Sequence, residues 1–139
     1  IRDLVRSRGL GDVYKRQEPG KRPRSSMSPT IVLKEGKPIY ITGSPGGSNI
    51  IGFVVNSLIS LIDWDMNVQQ SVSLPHAIIR WGRYDIEDGP NANSLKEAIS
   101  AMGYETQLKK YFSGINTIYI GDNLEGGSDP RREGIAIGG

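Results

Sequence analysis

Apolar and polar residues alternate with two different periods along this chain. In "TIVLKEGKPIYITGS" (Thr30–Ser44), two short apolar runs, Ile31–Leu33 and Ile39–Thr42, flank Glu35-Gly36-Lys37. A glycine able to take φ > 0 between β-rich runs predicts a β-hairpin. From Ile50 to Ile62 the period lengthens. Ile51, Val54, Val55, Leu58 and Ile62 recur at helical spacing, and Ile50, Phe53, Ile59 and Leu61 widen the stripe. So broad an apolar face predicts a helix covered on most sides, as in a layered sandwich. Ser48 is a candidate cap for it. The run is interrupted by Asn56, Ser57 and Ser60, and it is shorter than the ~20 residues a membrane span needs.

Further along, "NVQQSVSLPHAII" (Asn67–Ile79) predicts a short helix stopped before Pro75. Extended pieces follow at Ala77–Trp81 and near Tyr84–Glu87. "NANSLKEAISAMGY" (Asn91–Tyr104) predicts a surface helix capped by Asn93 or Ser94, with Leu95, Ile99 and Met102 facing inward and Gly103 ending it. "ETQLKKY", "INTIYIGD" and "NLEGGSD" read as three strands separated by turns. The order ββ-α-α-β-α-βββ places two strand groups around helices. It predicts an α+β layered domain rather than a doubly wound sheet.

Composition narrows the chemistry. A chain of 139 residues fits one domain. The absence of cysteine excludes disulfides, a thiolate nucleophile and a zinc–thiolate site. The net charge of +2 is misleading, because residues 1–17 carry five basic and two acidic side chains and the rest of the chain is at −1. The basicity therefore does not predict a nucleic-acid-binding face. Those first residues begin with Ile, lack the apolar core of a signal peptide, and resemble a translated adaptor or vector scar. They are expected to be a non-native, disordered leader on a fragment, with the domain at 18–139.

Few residues are candidates for chemistry. His76 is the sole histidine and has no nucleophile-elbow sequence near it, so a structural role is the expectation. "GSPGGS" lacks the Gly-Lys-Ser/Thr ending of a phosphate-binding loop, and no acidic or histidine cluster has metal-ligand spacing. Gly46 and Gly47 remain, set after Pro45 and just before the apolar helix. They read either as a turn or as a place where a ligand approaches backbone N–H groups at a helix start. Ser25 and Ser26 alone read as a polar loop.

Together these stretches carry a resemblance. "KRPRSSMSPTIVLKEGKPIYITGSPGGSNII" resembles the small subunit of γ-glutamyltranspeptidases, also called glutathione hydrolases, with its Ser-Ser-Met-Ser-Pro-Thr segment and its Ser-Pro-Gly-Gly before a long helix. "MNVQQSVSLPHAI" and the "GGSDPRREGIAIG" tail continue the match, which covers Glu18–Gly139. The resemblance implies an N-terminal-nucleophile hydrolase fold, an α-β-β-α sandwich incomplete in this fragment. It implies cleavage of γ-glutamyl amides through a γ-glutamyl-enzyme, with transfer to water or to an amino acid or peptide. It carries Gly46 and Gly47 over to the oxyanion hole, and Ser25 and Ser26 to binding of the substrate α-carboxylate. It further implies a self-cleaving precursor, a large subunit as heterodimer partner, glutathione or another γ-glutamyl compound as substrate, no cofactor, no metal, and a periplasmic or extracellular location.

The sequence also departs from the pattern. The nucleophilic threonine and the carboxylate that binds the substrate amine lie upstream of Glu18 in the family, so this chain alone is expected to be inactive. Asn49 stands where a basic residue is frequent, and "LPHAIIRWG" replaces a common Pro-Arg-Phe-His-His segment. Two alternatives stay open: another amidase of this fold, such as a cephalosporin acylase or a poly-γ-glutamate processing enzyme, and a non-catalytic binding module.

Overall fold

The computed structural model describes residues 19, 20, 22 and 25–138; the leader expected at 1–17 lies outside them. β1 (Thr30–Lys34) and β2 (Lys37–Gly43) form the first hairpin. Its two-residue turn, Glu35 (φ 53°) and Gly36 (φ 77°), is left-handed at both positions, the geometry whose twist suits a hairpin. A 3-10 turn (Gly47–Asn49) then leads into α1 (Ile50–Ile62), followed by α2 (Val68–Ser73), β3 (Ala77–Arg80), β4 (Arg83–Glu87), α3 (Ala92–Ala101), β5 (Glu105–Lys109), β6 (Asn116–Ile120) and β7 (Leu124–Ser128).

The strands make two sheets. The first, in the order β1-β2-β6-β7, is antiparallel throughout. The second, β3-β4-β5, pairs β3 with β4 as a hairpin through Trp81-Gly82, and β4 with β5 in parallel. A parallel pair needs a crossover, which α3 supplies. The sequence order had one strand too few between α2 and α3: both extended pieces there are strands, joined by a left-handed turn at Trp81 (φ 54°) and Gly82 (φ 83°).

One face of the first sheet carries the row Thr42, Thr117 and Gly127. α2 rests on it, and a Cβ on Gly127 would lie 2.7 Å from the Val68 carbonyl oxygen. The opposite face carries Ile31, Ile41 and Ile118 as cross-strand neighbours, all exposed. α1 and α2 meet through small polar residues: Ser57, Ser60 and Ser71 are buried and joined by hydroxyl hydrogen bonds of 2.7–3.0 Å. Phe53, Val72, Ile78, Tyr111 and Ile115 form the main core. A second cluster, Ile86, Ala92 and Ile99, sits between α3 and its sheet.

Three local expectations need correction. α1 buries Ile50, Phe53, Val54 and Leu61 but leaves Ile51, Val55, Ile59 and Ile62 exposed; the described residues supply a packing layer on one side of the helix only. Ser48 is not its cap, because the intervening 3-10 turn moves the N-cap to Asn49, which makes no side-chain capping bond. For α3 the N-cap is Asn91 (φ 64°), and of the inward trio only Ile99 is buried, with Ala92 about two helical turns before it. Gly103 does end α3 with φ 90°.

Candidate active site

β2 ends at Gly43, and the chain turns through Ser44-Pro45-Gly46-Gly47 into the 3-10 turn. Gly46 has φ 139° and ψ 17°, a region closed to side-chain-bearing residues. Its missing Cβ is also a packing requirement, since one built there would be 2.5 Å from Phe53 Cε2. Gly47 has φ 58° and open space where a Cβ would point. The Asn49 N–H donates back to the Gly46 carbonyl (3.2 Å), while among the described residues neither the Gly46 nor the Gly47 N–H donates a hydrogen bond. Free amides at a helix start carry partial positive charge.

The serine pair arrives at this turn from 21 positions upstream. Ser26 Oγ donates to the Gly47 carbonyl at 2.5 Å, and Ser25 Oγ accepts from the Met27 N–H at 3.2 Å. The fold thus joins the Ser25–Ser26 segment to the Gly46–Gly47 turn. Two further groups hold the turn. Arg80 Nη1 donates to Ser48 Oγ (2.8 Å) and Asn49 Oδ1 (3.0 Å). The Gly114 N–H donates to Ser44 Oγ (3.2 Å), and a Cβ on Gly114 would be 2.9 Å from Pro45 Cγ.

Behind the turn lies a buried polar network. Ser113 Oγ donates to Asp129 Oδ2 (2.5 Å), which also accepts from the Ile115 N–H (3.1 Å). Arg131 bridges Asp129 Oδ1 (3.0 Å) and both oxygens of Glu87 (2.5 and 2.6 Å), and donates to the Val72 and Leu74 carbonyls. Burial alone would raise the Asp129 carboxyl pKa, but hydrogen bonds from Ser113, the Arg131 and Ile115 amides and the Arg131 side chain outweigh it and hold it below its usual value.

His76 closes this network, its ring nitrogen Nε2 lying 2.8 Å from Ser113 Oγ. The Ser113 proton is committed to Asp129, so Nε2 is the donor and Nδ1 is left as a bare lone pair. Nδ1 has no hydrogen-bond partner among the described residues. Its protonation would bury an unpaired N–H. Burial, aided by the charge of Arg131, pushes the His76 pKa down to about 4. The serine here sits between the histidine and the aspartate and is fully buried, so the three cannot act as a hydrolytic triad, in which the histidine takes the central place.

The depressed value fixes a pH dependence. The unfolded chain takes up a proton on His76 as pH falls through about 6.5, whereas the folded chain does not until about 4. Stability is therefore full above pH ~6.5, falls by roughly 3 kcal/mol toward pH ~4, and loses nothing more from this group below that. Asp85 and Asp129, held low, add their loss only as pH falls through and below the usual carboxylate range. Urea midpoints measured from pH 7 to 4 should show this slope, and His76→Phe should flatten it.

The Ser113–Asp129–Arg131–Glu87 network was not read from the sequence. Its only signal was the Asp-Pro-Arg of the tail, noted there for resemblance alone. The Asn67–Gln70 capping box on α2 was equally available as an Asn-x-x-Gln spacing.

With this geometry in hand, comparison with known proteins is decisive. A family model described as Gamma-glutamyltranspeptidase matches residues 7–139. The chain belongs to the γ-glutamyltranspeptidase family. It is 40% identical over 117 residues to the glutathione hydrolase proenzyme of Escherichia coli (strain K12), a match covering 81% of this chain and 20% of that protein. A mutant γ-glutamyltranspeptidase from Helicobacter pylori superposes with TM-score 0.74 at 36% identity, over 84% of this chain and 66% of that one. The acylase ACY 1 proenzyme of Pseudomonas sp. (strain SE83) is 31% identical over 127 residues, 87% of this chain and 22% of that protein. The chain thus spans about a fifth of the length of these curated relatives. The fold is accordingly the N-terminal-nucleophile hydrolase type expected of a γ-glutamyltranspeptidase, present here in part. No helix among the described residues is long and apolar enough to cross a membrane.

Proposed function

We propose that this chain is the C-terminal part of the small subunit of a γ-glutamyltranspeptidase, a glutathione hydrolase that cleaves γ-glutamyl amides. The observation that carries the reading is the hydrogen bond from Ser26 Oγ to the Gly47 carbonyl. It puts hydroxyls suited to a carboxylate beside two amides suited to an oxyanion. In the reaction, a hydroxyl nucleophile from the preceding part of the precursor adds to the γ-carbonyl. The carbonyl π electrons move to oxygen, and the Gly46 and Gly47 N–H groups meet the resulting charge. Collapse expels the amine, which takes up a proton, and leaves a γ-glutamyl ester. Water or a second amine then resolves that ester. Ser25 and Ser26 hold the substrate α-carboxylate throughout, with Ser26 exchanging its bond to Gly47 for one to the ligand.

Family membership supports the same reading of the surroundings. The large subunit of the precursor is the partner, and the exposed faces of α1 and of the first sheet are where it packs. Glutathione or a related γ-glutamyl compound is the substrate, and the enzyme works outside the cytoplasm. The 31% identity to an acylase favours one second reading, an amidase of the same fold acting on a different acyl group.

Ser26→Ala in the processed enzyme separates the two readings. The hydroxyl contacts the substrate in ground and transition states alike, so KM for a γ-glutamyl anilide should rise about 10- to 100-fold, the equivalent of ~1.5–3 kcal/mol for a hydrogen bond to a charged group, with kcat little changed. An unchanged KM would remove Ser26 from the carboxylate site and favour the acylase reading.

A further inference from the structure

His76 is buried, titratable and unused by the chemistry above. It lies against Phe53 with ring centroids 4.4 Å apart and the ring planes tilted by 38°, and Tyr111 packs edge-on against both rings. Phe53 is the side chain against which Gly46 lies, as the 2.5 Å approach of a built Cβ shows. The imidazole is tethered at its far side, through Ser113, to Asp129. The loop that carries Ser113 also carries Gly114, which abuts Pro45 on the other flank of the turn. We propose that His76 is a positioning residue for the Gly46–Gly47 turn: its ring, anchored by Ser113 and Asp129, fixes the Phe53 ring that sets where the Gly46 amide stands. The inference rests on the reading of Gly46 and Gly47 as oxyanion donors.

An apolar residue of similar size would fill the same space. What the imidazole adds is direction, because the Nε2–H bond fixes the ring in its own plane, and a fixed ring transmits that constraint to Phe53 by contact. A bond strong enough to do this without exposing a charge requires the neutral tautomer that the bare Nδ1 indicates. Oxyanion donors must stand 2.7–3.1 Å from an atom that exists only in the transition state. A displacement of a few tenths of an ångström at Gly46 therefore lowers kcat and spares substrate binding.

The test is a double-mutant cycle in the processed enzyme expressed from the complete reading frame. His76→Gln should lower kcat about tenfold, less than the ~10²-fold cost of a 1 Å misplacement, with KM within about twofold. In a Phe53→Leu background, where the ring that transmits the constraint is gone, the same substitution should change kcat by less than about twofold. If His76→Gln fails to mature, Ser113→Ala, which keeps the ring and removes its tether, carries the same comparison. An equal loss in both backgrounds, or no loss in the first, would overturn the proposal. Gly46→Ala measured alongside separates the two levels: if it lowers kcat while the His76 cycle is flat, this inference alone fails, and if it leaves kcat intact, the oxyanion reading fails with it.

Discussion

Gly46→Ala in the processed enzyme is expected to lower kcat by about 10²–10³-fold, the cost of losing one oxyanion donor, while KM changes little. Two effects add. The backbone at φ 139° and ψ 17° is open only to glycine, and forcing a methyl group there costs ~1–3 kcal/mol. The methyl group would also meet Phe53 Cε2 at 2.5 Å, and Phe53 cannot retreat, being buried against His76 and Tyr111. The turn must move instead, carrying its amides out of line with an oxygen that becomes charged only in the transition state. Gly47→Ala should be milder. Its Cβ would enter open space, so only the left-handed backbone penalty of about 1–2 kcal/mol applies. Steady-state kinetics on the two variants give the order. A Gly47→Ala loss exceeding that of Gly46→Ala would contradict this account of the turn.

The largest effect on stability is expected from Arg131→Met. The guanidinium is mostly buried, as is Glu87, and Asp129 is 1% exposed at its side chain. Methionine fills similar volume but takes the guanidinium from two carboxylates and two backbone carbonyls, leaving Asp129 to Ser113 and the Ile115 and Arg131 amides and Glu87 to the His76 amide, with no counter-charge. Removing one partner of a buried ion pair costs ~3–5 kcal/mol, because the remaining charge is stranded. Hydrogen exchange reads this locally. The Ile115 amide bonds to Asp129 and the Glu87 amide to the His76 carbonyl. Both should lose about 10²–10⁴-fold in protection. Unchanged protection would mean that water reaches the network and already screens it.

The sequence disclosed some elements and hid others for physical reasons. The Thr30–Gly43 hairpin was legible because Glu35-Gly36 allows one kind of turn, and Gly103 marked the end of α3 because only a left-handed residue fits there. The extent of α1 was legible from its period, but its buried side was not. Burial depends on partners, and the helix presents apolar residues to more sides than the described residues cover. The short 3-10 turn at Gly47–Asn49 escaped because three residues are too few to leave a periodic trace, and the expected Ser48 cap failed with it. At the candidate site, Gly46, Gly47, Ser25 and Ser26 were named from motif order, and the Ser26–Gly47 contact is what their positions 21 apart could not disclose. The network around Arg131 joins residues from positions 72 to 131, a juxtaposition that no local pattern encodes.

The central claim is that Gly46 and Gly47 face the reacting carbonyl while Ser25 and Ser26 hold the α-carboxylate. The most direct measurement is a crystal structure of the processed enzyme with a γ-glutamyl boronate, whose tetrahedral boron mimics the oxyanion intermediate. The account predicts a boronate oxygen 2.7–3.1 Å from the Gly46 and Gly47 amide nitrogens, with the α-carboxylate accepting from the hydroxyls of Ser25 and Ser26 and the Ser26–Gly47 bond broken. A boronate oxygen bound by other donors, with Ser26 still on the Gly47 carbonyl, would contradict it.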